Sequence, residues 1–332
     1  MSTKLRVGII GVGGNGGRFL DAYATNPRVE VIAICDTRDE HRQAQQEKYH
    51  VPHGYADVDA LLKHDEIDLV SIHAPDWLHA PFTLAGLDAG KHVFVEKPMA
   101  TSVEDCLEMV ARADAAPTRV AVGHVLRTRP YFRMLKAMVE AGEIGEIYAM
   151  RSHYLTNPMH RSASFQEIAH RSYSLPMLTM GVHPVDLMRW YAGDIVEVQA
   201  MESRDMALPG NPRDESVTAL YRFAGGATGS ITVCWASNYI FDSDYGLELH
   251  GSEASVARGE VHRRGTFERE PLPEPPQDTR EGYAAEVDSV VDSLLDETPL
   301  FCDVHEGARS AIACLMAIEA AKTGKTLAVP NP

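Results

Sequence analysis

Short apolar runs alternate with helically spaced segments over the first third of this chain. The runs are Lys4–Ile10, Val29–Cys35, Asp68–His73, His92–Glu96 and Arg119–Gly123. Between them the apolar period lengthens to that of a helix over Asn15–Thr25, Asp39–Tyr49, Asp57–Lys63, Trp77–Ala89 and Val103–Ala113. Such alternation predicts a parallel, doubly wound α/β sheet over residues 1–123. In sheets of this kind ligands bind at the carboxyl ends of the strands. Candidate chemistry is therefore sought just after each run.

The pattern changes after a helix predicted from about Pro130 to Ala141. Glu146–Thr156, Ile195–Arg204, Ser216–Phe223, Thr228–Ala236 and Gly246–Gly251 read as longer strands, several of them consecutive. Phe223-Ala224-Gly225-Gly226-Ala227 reads as a hairpin turn. Residues 124–332 are expected to form an α+β domain built on an open, largely antiparallel sheet. An open apolar face is usually covered by another subunit, so a homodimer or homotetramer is expected. Glu270–Pro276 reads as an extended surface loop. Two closing helices, about Glu281–Leu295 and His305–Thr323, follow, with the C-terminal helix able to pack back on the first domain.

Composition narrows the class. The chain has 332 residues, a formal net charge of −16, and five cysteines without a C-x-x-C pair. The acidity argues against a nucleic-acid partner, and no apolar run is long enough to span a bilayer. Neither a disulfide framework nor a metal site is expected from the scattered cysteines, which read as reduced cytoplasmic thiols.

The first run ends in Gly11-Val12-Gly13-Gly14-Asn15-Gly16, a G-x-G-x-x-G turn between strand and helix. Its glycines permit the tight turn, close approach of a pyrophosphate, and tight helix packing, and the helix N-terminus attracts phosphate. Asp36 closes the second run at slightly more than the usual separation of about 20 residues. A carboxylate there accepts ribose hydroxyls and disfavours a 2′-phosphate, so NAD is favoured. Arg38 is suited to hold such a phosphate, which leaves NADP open. Asp36 can alternatively be a plain helix cap.

Three further segments carry candidate chemistry. In Glu96-Lys97-Pro98, Pro98 ends the strand and presents the Lys97 ammonium at its carboxyl edge, with Glu96 beside it. Ala74 and Pro75 form a turn after the Asp68–His73 run, and His79 falls in the next helix, as a cofactor contact or a packing residue. His183 and Asp186 are three apart, on one helical face. Pro184 prefers the first helical position, which would put His183 at the helix N-terminus as a neutral base. One helix kinked at Pro184 is the alternative. Arg151–Tyr173 is locally basic and includes His153, His170 and Tyr173. It is either a receiver for an anionic substrate group, or a solvated loop or subunit contact.

Together these residues resemble the glucose–fructose oxidoreductase/inositol dehydrogenase/MocA family over nearly the whole chain. The resemblance includes the glycine turn, Ala74-Pro75…His79, Glu96-Lys97-Pro98 and Gly181-Val182-His183…Asp186…Trp190…Gly193. It also includes Val122-Gly123-His124…Arg127…Pro130. It implies an N-terminal Rossmann domain, a C-terminal substrate and oligomerisation domain, and NAD(P)-dependent hydride transfer at a secondary alcohol of a sugar, inositol or related polyol. It places His124 near the cofactor and Arg127, Thr179 and Asp186 near the substrate. Many relatives carry Asp where this chain has Thr179, which cannot act as a base at neutral pH.

Lys97 and His183 are the expected catalytic pair, converging from separate domains on one alcohol oxygen. In this reading His183 takes the hydroxyl proton and Lys97 stabilises the developing negative charge; the roles can also be exchanged. The competing readings are a nucleotide- or sugar-sensing regulator on the same scaffold and a diol or imine reductase.

Overall fold

The computed structural model describes residues 4–156, 176–203, 216–235, 244–266, 268–275 and 282–332. His170 and Tyr173 lie outside the described residues. The chain divides into two compact units. One comprises residues 1–100, 104–129 and 278–308, and the other residues 101–103, 130–277 and 309–332.

The first unit is a parallel sheet of six strands: β1 (Leu5–Ile10), β2 (Val29–Cys35), β3 (His53–Tyr55), β4 (Leu69–Ile72), β5 (His92–Glu96) and β6 (Val120–Gly123). Their order is β3-β2-β1-β4-β5-β6, and every pairing is parallel. Helices α1 (Gly14–Ala24), α2 (Asp39–Tyr49), α3 (Val58–Leu62), α4 (His79–Asp88) and α5 (Val103–Ala115) follow the first five strands. Order reverses between β1 and β4, and the carboxyl ends there form the crevice where ligands of such sheets bind. The strands that flank it are buried almost throughout, which is why they read as mainly apolar runs.

Edge strand β3 was not legible: His53-Gly54-Tyr55 is short and carries no apolar run. Helix α3 begins where the Asp57 carboxylate accepts the Ala60 amide, an ordinary side-chain cap. The segment expected as one helix from Trp77 instead makes a 3-10 turn at Asp76–Leu78 and starts α4 at His79.

The second unit holds α6 (Pro130–Glu140), β7 (Ile147–Leu155), α7 (Pro176–Thr179), α8 (Val182–Ala192), β8 (Ile195–Ser203), β9 (Ser216–Phe223), β10 (Thr228–Cys234) and β11 (Asp244–Gly251). Short strands β12 (Ala254–Ala257), β13 (Glu260–Arg263), β14 (Glu270–Pro271) and β15 (Leu327–Ala328) complete a nine-stranded sheet. It is antiparallel except where β7 pairs with β10. The β9–β10 hairpin closes as the glycines predict, with the Phe223 amide on the Ala227 carbonyl at 2.9 Å and Gly226 at φ 91°. Glu270 and Pro271, expected in a loop, pair with β13 instead. Helix α9 (Tyr283–Leu295) belongs to the first unit, where Val287, Val290 and Val291 join the core built on β1 and α1. Helix α10 (Val304–Thr323) ends the helical part of the chain.

Candidate active site

The glycine turn is shaped by what surrounds it. A Cβ on Gly16 would lie 1.8 Å from the Gly11 carbonyl oxygen, and one on Gly11 would lie 2.7 Å from that of His73. Gly11 itself sits at φ +80°, in the left-handed region. Gly13 caps α1 without any side-chain hydrogen bond. The amides of Gly14, Asn15 and Gly16 are thus among the helix's first N–H groups, which have no intrahelical acceptor. Close backbone approach, unused donors and a positive helix end all fit a pyrophosphate.

Asp36 lies at the end of β2 and is buried. Its carboxylate accepts the Val12 amide at 3.2 Å and the Arg38 amide at 3.0 Å, together with the Arg38 guanidinium at 3.1 and 3.0 Å. Burial works to raise its pKa, but the Arg38 bonds and the Val12 amide prevail and hold it below the ordinary carboxylate range. Arg38 is more than a bystander. Its guanidinium lies over Gly13, where a Cβ would meet it at 2.4 Å.

Ala74 and Pro75 follow β4, as the sequence predicts. His79 is fully enclosed and bridges two main-chain segments, with Nδ1 2.7 Å from the Pro98 carbonyl and Nε2 2.9 Å from that of Ala74. It ties the ends of β4 and β5 together. His73, a residue with no assigned role in the sequence reading, stacks on Phe19 at 4.2 Å and pairs with Ser71 Oγ at 2.7 Å. Burial drives its pKa down to about 3, so it is neutral there.

Lys97 stands half-buried at the end of β5, and its peptide bond to Pro98 is cis. Its amide donates to Glu96 Oε2 at 3.0 Å. Burial pushes Glu96 up to about 7, against the opposing pull of the Lys97 charge. His124 is buried just beyond β6, and its carbonyl accepts the Arg127 amide at 2.9 Å. Arg127 is buried too, donating to Glu306 Oε2 at 2.7 Å and to the Phe301 carbonyl at 3.3 Å. Those bonds tie α10 to the single turn at Val125–Thr128.

Sequence reasoning missed Tyr283 and Glu286 of α9. The Tyr283 hydroxyl reaches Asn15 Oδ1 in the glycine turn at 3.4 Å, across 268 positions of sequence. No local pattern announces a partner so distant.

In the second unit His183 lies in the first turn of α8, after a break at Gly181. Pro184 is therefore the third helical residue, and neither the first-position start nor the continuous kinked helix is found. The first N–H groups of a helix bond to nothing within it, so proline costs little there. Tyr154 faces His183 with ring centres 6.4 Å apart and Tyr245 at 5.5 Å. His153 lies on β7 with its ring over Gly246, where a Cβ would stand 2.3 Å from Cε1. Thr179 ends α7. Asp186 is buried and accepts the Ser310 hydroxyl at 2.9 Å, and Arg189 donates to the same hydroxyl at 2.9 Å. Asp186 thereby helps fasten α8 to α10.

Comparison with known proteins agrees with this architecture. A family model described as "Oxidoreductase family, NAD-binding Rossmann fold" matches residues 5–124, and the GFO/IDH/MocA C-terminal domain matches residues 132–257. The 1-carboxy-3-chloro-3,4-dihydroxycyclohexa-1,5-diene dehydrogenase of Comamonas testosteroni is 26% identical, over 73% of this chain and 61% of that protein. Inositol 2-dehydrogenase of Salmonella paratyphi B is 26% identical, over 99% of this chain and 97% of that protein. A levoglucosan dehydrogenase solved with NADH shares the fold at a TM-score of 0.87 and 22% identity, over 99% of this chain and 100% of that one. No helix among the described residues is long and apolar enough to cross a membrane. The glycine turn with its paired Asp36, the Rossmann strand order and both domain matches make this chain an NAD-dependent oxidoreductase of the Gfo/Idh/MocA family.

Proposed function

We propose that this protein oxidises a secondary hydroxyl of a polyhydroxylated ring, a sugar, an inositol or a related acid, and passes the hydride to NAD. The observation that carries the reading is Lys97 at the carboxyl end of β5, beside buried Glu96, on the sheet edge that also bears the glycine turn. Two relatives point to the same substrate class by name: one acts on a dihydroxylated, carboxylated six-membered ring and the other on inositol.

When bound, NAD accepts hydride from the carbon that bears the hydroxyl. Gly11, Gly13, Gly14, Asn15 and Gly16 receive its pyrophosphate, and Asp36 receives the adenosine ribose. Ala74, Pro75, His79 and His124 shape the edge along which it lies. Lys97 donates a hydrogen bond to the substrate oxygen and stabilises the charge that develops there. His183 removes the hydroxyl proton as general base. His153 and Thr179 supply polar contacts to the substrate, while Arg127 and Asp186 act by holding the helices that carry the site. The enzyme works in the cytoplasm as a homo-oligomer. The exposed side chains Met201 and Leu220, on neighbouring strands β8 and β9, lie in the sheet face that a second copy covers.

A panel of sugars, inositols and sugar acids, incubated with NAD and followed by absorbance of the reduced nicotinamide, tests the reading. Oxidation of at least one cyclic polyol is expected. Activity confined to ketone or imine reduction, or none with any polyol, contradicts it.

A further inference from the structure

Helix α9 carries a carboxyl group that the proposed chemistry leaves unused. Glu286 lies in its first turn at 0% exposure, and neither carboxyl oxygen has a hydrogen-bond donor among the described residues. An ionised carboxylate in that setting costs far more than the nearby helix end returns.

A row of aromatic rings shows what Glu286 faces. Tyr283 packs on Phe19 at 4.8 Å, and Phe19 packs on Phe94 at 5.2 Å. Tyr283 and Glu286 are three apart on one helix face. Phe94 and Glu96 are two apart on one strand face. The rings thus lay the Glu286 face of α9 over the Glu96 face of β5. The Glu96 carboxyl itself packs against Gly123, where a Cβ would lie 3.3 Å from Cδ.

The other groups around this pocket leave little to balance a second negative charge. Helix α1 contributes Tyr23, buried and held un-ionised, and Arg18, which lies over the Tyr283 ring at 5.9 Å. Strand β4 contributes Ser71 and neutral His73. Asp76 adds another acid near Glu96, and Lys97 is the cation that offsets both glutamates. Burial, then the neighbouring carboxyl, raise Glu286 well above the ordinary range.

We propose that Glu96 and Glu286 hold at most one negative charge between them at neutral pH, with Glu286 keeping its proton so that Glu96 is the one that ionises beside Lys97. Glu286 is a positioning residue for Lys97, and this inference rests on the role given to Lys97 above. An un-ionised carboxyl turns a dipole toward Glu96, where a second carboxylate would repel it. As pH falls, Glu96 takes up a proton and Lys97 loses its charged neighbour.

Two measurements on the full-length protein test this. Infrared spectroscopy of the protein without cofactor is expected to show an un-ionised carboxyl band persisting above about pH 8, absent in Glu286→Gln, because a carboxyl this buried stays protonated. That readout needs no substrate and stands even if no polyol is oxidised. In the active enzyme, Glu286→Leu should shift the acid limb of the kcat profile upward by about one pH unit, and Glu286→Gln by less than half as much, because only the amide restores a dipole to Glu96. A residue that merely fills space would not separate the two variants. Absence of the band from the wild type overturns the inference, as does an acid limb common to all three proteins.

Discussion

Arg38 clasps Asp36 through its backbone amide at 3.0 Å and its guanidinium at 3.0 and 3.1 Å, two residues along the same loop. The carboxylate proposed to receive a ribose thus carries its own counter-ion, and that counter-ion lies over the glycine turn. Replacing Asp36 by Asn removes the charge that repels a 2′-phosphate while leaving Arg38 to greet one. The ratio of NADP to NAD affinity should rise by at least about tenfold, a modest share of the roughly 4 kcal/mol available to unit charges about 4 Å apart near a surface. Arg38→Ala should lower the same ratio. Fluorescence titration with each cofactor reads both.

Gly16→Ala introduces a Cβ 1.8 Å from a backbone oxygen, so the turn itself must move. Overpacking of this kind costs about 1–3 kcal/mol. NAD binding should weaken sharply and thermal stability should fall, because the strain falls on the turn proposed to receive the pyrophosphate. Gly14→Ala has open space around its Cβ but must hold a φ of +35°, so it isolates backbone strain from crowding. Calorimetry of the two variants separates the causes.

Glu286 makes stability fall with rising pH. The folded state keeps its proton above the range where an unfolded glutamate releases one, so unfolding liberates protons there. Each retained proton removes about 1.4 kcal/mol of stability per pH unit. Glu96 adds a second loss of the same sign between the ordinary glutamate range and about 7. Denaturant unfolding from about pH 5 to pH 8 should therefore show a flatter decline for Glu286→Gln, with the variant the more stable protein at the alkaline end. Parallel curves would remove the retained proton of Glu286 from this account.

Much of the fold could be read from adjacent residues because parallel strands buried on both faces leave mainly apolar runs, as Val31–Cys35 does. The short strands had no such signature. β3, β12, β13 and β15 have between two and four residues and owe their conformation to the neighbour they pair with. The glycine turn, Asp36 and the Glu96-Lys97-Pro98 segment were legible because backbone geometry acts over a few positions. What each side chain does with its partners was not. Arg127 and Asp186, expected near the substrate, also bond to Glu306 and Ser310 far along the chain, partners that no local pattern announces. Tyr283 and Glu286 came into view only when α9 was seen against α1 and β5.

His183→Asn keeps a polar ring-sized group in the first turn of α8 but has no base to offer. Turnover should fall by on the order of a hundredfold or more, within the usual range for loss of a general base. Its pH profile should also lose the limb that belongs to the imidazole. Steady-state rates from about pH 5 to pH 8, the span over which an ordinary histidine changes charge, check both.

The role of Lys97 is tested most directly by single-turnover hydride transfer in Lys97→Met, alongside NAD affinity measured on the same preparation. Hydride transfer should slow by on the order of a thousandfold while the NAD dissociation constant stays within about threefold, since the ammonium acts on the substrate oxygen. A transfer rate close to wild type, or a loss explained wholly by weaker NAD binding, would contradict that role.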